Sequence, residues 1–132
     1  IITLQPTNPF RPHGLIDEVL EWSLNITEEW DSIMTVSELD AKFGTISENE
    51  FSAANYNQGQ RSQDVAKTYF KENGLIYLTK VSTLRSHRNM FGKKTVAFKI
   101  EGAYSDIDID TKQDFELASL TYSVYKKKYN LI

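Results

Sequence analysis

Cysteine is absent from the 132 residues, which removes disulfides and thiolate chemistry and agrees with a reducing compartment, so a cytoplasmic location is the expectation. No apolar run approaches the roughly 20 residues that span a bilayer. The opening Ile1-Ile2-Thr3-Leu4 is too short for the apolar region of a signal peptide, and without an initiator Met the chain is expected to begin inside a longer protein. Neither sign of charge dominates, with 15 Lys and Arg against 18 Asp and Glu. The formal net charge is -3, and Lys126-Lys127-Lys128 is the one basic cluster, so nothing tracks a nucleic-acid backbone. That triplet reads as the solvated end of a helix, where cations complement the dipole. Histidine is limited to His13 and His87, far apart and without an HExxH pairing, which leaves zinc little support. The six glycines, at 14, 44, 59, 74, 92 and 102, are dispersed, so neither a Walker-type loop nor GxGxxG can be built, and no GxSxG elbow is present.

What is there suits one compact domain: 40% of the residues are hydrophobic and 12% aromatic, enough for a core. Ile1 to Leu4 reads as the end of a buried strand, broken by Pro6 and Pro9. From Pro12 to Asn25, Leu15, Ile16, Val19 and Leu20 recur at helical spacing, with Asp17 and Glu18 near the favoured N-terminus. Ser32 to Val36 is a short strand candidate. The polar stretch from Glu38, carrying Gly44 and Gly59, reads as an excursion with weak hairpin character. Gly74 to Thr79 is a strand behind a turn signal at Asn73-Gly74, and Val81 to His87 offers one or two helical turns. Thr95 to Ile100 alternates, with Val96, Phe98 and Ile100 on one face. The last helix starts at Thr111 with Asp114 as a capping box, and Phe115, Ala118, Tyr122 and Tyr125 make its apolar stripe.

The stretch richest in chemistry is Asp106-Ile107-Asp108-Ile109-Asp110. In an extended strand its three carboxylates would share a face, about 6.6 Å apart per two-residue step. Like charges so placed repel unless a cation offsets them, and hard oxygens suit Mg²⁺. The same residues also read as an exposed acidic edge or a capping loop before Thr111, and spacing alone does not choose. Tyr69, Phe70, Tyr77, Phe91 and Phe98 could line a sugar pocket or simply fill a core.

Four segments, in order, carry a resemblance. Leu4-Gln5-Pro6-Thr7-Asn8-Pro9-Phe10-Arg11 resembles LQPTSPLR, Asn73-Gly74-Leu75-Ile76-Tyr77 resembles NGAIYI, Phe91-Gly92-Lys93-Lys94-Thr95 resembles an FxGxK turn, and Ile107-Asp108-Ile109-Asp110-Thr111 with Asp114 resembles IDIDTxxD. These are motifs of the acylneuraminate cytidylyltransferases, the CMP-sialic acid synthetases, and they match the C-terminal part of that family across nearly the whole chain. The resemblance implies an α/β, Rossmann-like nucleotide-diphospho-sugar transferase fold, with a mostly parallel sheet, flanking helices and the N-terminal part absent. It implies transfer of CMP from CTP to a nine-carbon 2-keto sugar acid with release of pyrophosphate, Mg²⁺ as cofactor, and a homodimer.

By the same resemblance Asp108 and Asp110 match the metal-binding aspartates, Asp106 lies outside that pair, and Gln5, Asn73, Tyr77 and Phe91 fall at or beside the sugar pocket. Lys42 matches a sugar-contacting lysine, and Lys71 stands where relatives carry an arginine contributed across the dimer. A lysine can neutralise a carboxylate but lacks the bidentate fork of arginine. The match around Arg61-Ser62-Gln63-Asp64 is looser, with an extra residue and no proline where the family shows RRQDLP. The family's phosphate-binding loop is not among these residues, so the stretch by itself is expected to be inactive. The excursion from about 38 to 71 is the expected dimerisation element. The competing class is a nonenzymatic sugar- or nucleotide-binding module that kept this half-fold.

Overall fold

The computed structural model describes residues 1–64 and 67–132. Two units divide the chain. One comprises 1–37 with 72–132, and the other comprises 38–71.

In the larger unit, strand β1 (Ile2–Thr3) leads through the proline-bearing loop to helix α1 (Leu15–Asn25). The helix begins later than its periodicity suggests because Gly14 adopts φ 83°, outside the helical region. Leu15 and Val19 then turn inward, and Ser23 follows them onto the buried face. Strand β2 (Ser32–Leu39) comes next, and β5 (Tyr69–Thr79) carries the chain back to helix α2 (Val81–His87), strand β6 (Thr95–Ile100) and helix α3 (Lys112–Tyr129). The four strands form one sheet in the order β1-β5-β2-β6.

β1 runs antiparallel to β5, with Thr3 opposite Tyr77, and β2 runs parallel to β6, with Ser32 opposite Thr95. β5 opposes β2 also: Lys80 N–H donates to Asp31 C=O beyond one end, while Asn73 meets Ser37 at the other. The sheet is therefore mixed, where a mostly parallel one is expected from the resemblance, because β5 runs against both of its neighbours.

Leu75, Ile76, Tyr77 and Leu78 are all buried, so β5 is covered on both faces, as a continuous apolar run requires. The core gathers Phe10, Leu15, Val19, Ile33, Leu75, Ile76, Ile100, Tyr104 and Ile107, with α3 contributing Ala118. Trp22 of α1 packs edge-on against Phe98 of β6 at 5.2 Å, on the face the alternation of β6 predicts. Two expectations change. Ile2 and Leu4 are 40% exposed, because β1 is an edge strand of two residues and not a buried one. Phe115 is 60% exposed, and the inward line of α3 is Ala118, Tyr125 and Tyr129 instead.

The smaller unit holds a β-hairpin, β3 (Gly44–Ser47) and β4 (Glu50–Ala53), turned by Glu48 and Asn49 at positive φ. Asn55 braces it, accepting from Phe43 N–H at 3.0 Å and donating to Ala41 C=O at 2.7 Å. The expected excursion of about 38–71 coincides with this unit, Val65 and Ala66 within it lying outside the described residues. Among the described residues no helix is long and apolar enough to cross a membrane.

Candidate functional site

The loop between β1 and α1 is shaped by its own sequence. Pro6 and Pro9 restrict the backbone, and Asn8 N–H donates to Gln5 C=O at 3.3 Å to close a turn. Arg11 locks that turn to β5, donating from Nε to Leu75 C=O at 3.0 Å and from a terminal nitrogen to Gln5 C=O at 2.6 Å. Burial lowers the pKa of this guanidinium, which nonetheless stays charged among carbonyl acceptors.

The acidic segment docks on the same loop. Asn8 Nδ2 donates to Ile107 C=O at 2.9 Å, and Ile109 N–H donates to Thr7 C=O at 2.8 Å. Ile107 and Ile109 thus turn inward while Asp108 and Asp110 are exposed. The segment is not a strand of the sheet, and Asp106 ends a 3₁₀ turn (Ala103–Asp106), so the three carboxylates do not share one strand face. The capping reading is realised alongside: Asp114 accepts from the backbone N–H groups of Asp110 at 3.2 Å and Thr111 at 2.8 Å.

β5 lies against the same loop. Gly74 sits inside the strand at φ 70°, where a turn was the expectation, because Asn73 Oδ1 accepts from Leu75 N–H at 3.2 Å and supports the distortion locally. A Cβ at Gly74 would collide with Gln5 Oε1 and Asn8 Oδ1, so glycine is what lets the loop approach the strand. Asn73 itself is buried, accepting from Thr35 Oγ1 at 2.6 Å and donating to Ser37 Oγ at 2.9 Å. Its amide braces β5 against β2. Tyr77 is 2% exposed and donates its hydroxyl to Glu72. Burial first, then the Glu72 hydrogen bond and the charges of Glu72 and Asp108, raise its pKa, so the phenol stays a neutral donor.

Phe91 packs edge-on against the Tyr77 ring at 5.8 Å. Its turn is fastened by Asp31, whose carboxylate accepts from Lys94 N–H at 3.0 Å and lies so close to Gly92 that a Cβ there would strike it. No known family model matches this chain, and no curated protein matches it. In the larger unit the Gln5 amide lies against Gly74 of β5, Phe91 packs on Tyr77 of the same strand, and the charge of Asp108 reaches Tyr77.

Lys42 and Lys71 belong to the smaller unit. Lys42 donates to Gln60 C=O and stands 4.9 Å from the centre of the Tyr56 ring, and Lys71 is half-buried in β5. A polar cleft of about 170 Å³ in that unit is lined by Asp40, Lys42, Asn55 and Lys67 among others. Among the described residues no group of three or more His, Asp or Glu side chains is arranged to hold a metal. Asp108 and Asp110 are exposed carboxylates, the hard oxygen type that Mg²⁺ takes.

Sequence reasoning missed Asn8, Glu72 and Asp31. Asn8 had a signal, standing where the resembling motif has serine. Glu72 and Asp31 had none, since both act through partners distant in sequence or through the twist that Gly74 introduces.

Proposed function

We propose that this chain carries the sugar-acid side of a cytidylyltransferase of the acylneuraminate type, with a Rossmann-like fold in the complete protein. The observation that carries the reading is that the four motif-like segments are linked in space: Asn8–Ile107 and Thr7–Ile109 join the first to the last, Gln5 N–H to Gly74 C=O joins the first to the second, and Tyr77–Phe91 joins the second to the third. The 2-keto sugar acid binds beside Gln5, Tyr77 and Phe91, with the Asn73 amide holding the strand beneath. Asp108 and Asp110 hold the metal. Bound Mg²⁺ supplies charge compensation on the phosphates of CTP. The sugar's anomeric hydroxyl oxygen bonds to the α-phosphorus and loses its proton, the α–β anhydride bond breaks, and pyrophosphate leaves.

The nucleotide phosphates need a cradle from residues outside these 132. Lys42 and Lys71 serve the sugar carboxylate from a homodimer built through the smaller unit, in a cytoplasmic protein. Pyrophosphate release from CTP, Mg²⁺ and N-acylneuraminate by the complete protein tests the reading. Asp108→Asn and Asp110→Asn should each lower turnover by about 10²-fold. No pyrophosphate with any nine-carbon 2-keto acid, or binding of sugar without turnover, would point to the nonenzymatic module.

A further inference from the structure

Two side-chain amides share the small space beside the Cα of Gly74. Asn8 is 1% exposed, and its orientation is fixed, because only its Nδ2 can donate to Ile107 C=O. Its Oδ1 must therefore face the other way, toward Gly74, where among the described residues no donor meets it. The Gln5 amide lies against the same point with Oε1 foremost. Two acceptors facing each other in a buried place repel. The two ends of a glutamine amide have the same shape, and a half-turn about the last bond exchanges oxygen for nitrogen without moving any other atom.

We propose that Asn8 sets the polarity of the Gln5 amide: Gln5 Nε2 donates to Asn8 Oδ1, and Gln5 Oε1 is turned outward as an acceptor for the ligand. The loop then selects a hydroxyl or N–H group on the sugar acid at that point and disfavours a carbonyl. Serine, which the resembling motif carries at the position of Asn8, is too short to hold the amide this way, so the selection belongs to this chain. The three anchors that fix the geometry are independent of any ligand: Arg11 on Gln5 C=O, Ile107 C=O on Asn8, and the bare Cα of Gly74. The identity of the ligand rests on the proposed function, but the amide polarity does not.

The test is a through-hydrogen-bond scalar coupling from Gln5 Nε2 to Asn8 Cγ, measured by NMR on the isotopically labelled chain without ligand. A resolved coupling, with the Gln5 amide protons shifted downfield, is expected. Asn8→Ser should abolish it, return those protons to solvent-like shifts and raise the sugar KM by about ten-fold while the KM for CTP holds. Absence of the coupling, with a cross-peak from a bound water to the Asn8 amide instead, overturns the proposal. The native measurement decides it even where Asn8→Ser fails to fold, and it stands whether or not pyrophosphate release is found.

Discussion

Gly74 is the residue on which the site's geometry turns. Its positive φ and the amide oxygens of Gln5 and Asn8 beside its Cα together exclude a side chain. Gly74→Ala should destabilise the protein by at least about 1–2 kcal/mol from the left-handed backbone alone, and more from the collision. Chemical denaturation measures this. An alanine that leaves the denaturation midpoint unchanged would mean that the loop does not press on the strand. The turn signal at Asn73-Gly74 was legible, but its use was not: a dipeptide that usually reverses a chain here kinks a strand, because Asn73 supports the distortion through Leu75 N–H and is itself held by Thr35 and Ser37. Those hydroxyls come from β2, and no local pattern announces them.

Among the elements, α3 was the most legible and still only in part. Its start follows from local chemistry: Thr111 Oγ1 accepts from Asp114 N–H at 3.2 Å, and the Asp114 carboxylate accepts from Thr111 N–H at 2.8 Å. Such reciprocal caps are written in neighbouring residues, so sequence shows them. Which stripe turns inward depends on what the rest of the fold places opposite, and that is why Phe115 was placed inward and Tyr129 was not. Thr111→Ala should cost about 1 kcal/mol of stability, read from thermal or denaturant unfolding. Hydrogen bonds from Thr111 lower the pKa of Asp114. A carboxyl group depressed in the folded state adds stability above its unfolded pKa and loses it as pH falls through the folded one. Acidification should therefore fray the first turn of α3, and Asp114→Asn should flatten that pH dependence in circular dichroism. Unchanged acid sensitivity in the variant would assign the fraying elsewhere.

For the whole molecule, the division at 38–71 was legible as a polar stretch interrupting apolar strands, and its hairpin offers Ile46 and Phe51, paired across the strands and 75% and 41% exposed. Under the proposed homodimer these two side chains are buried by a second copy. Sedimentation should find a dimer, and Ile46→Asp with Phe51→Asp should give a folded monomer; a monomeric native chain would remove the smaller unit from the interface. The acidic segment was readable as a motif, but its docking on the loop was not, since Asn8 and Ile107 are 99 positions apart. That separation has a kinetic side. Contacts between residues remote in the chain close large loops and form slowly, while helices close through neighbours. The amide of Ile109, which reaches Thr7, should gain protection late in pulse-labelled hydrogen exchange during refolding, after those of α1 and α3. In that order of events the loop bearing Gln5 and the segment bearing Asp108 are joined only after the helices have formed.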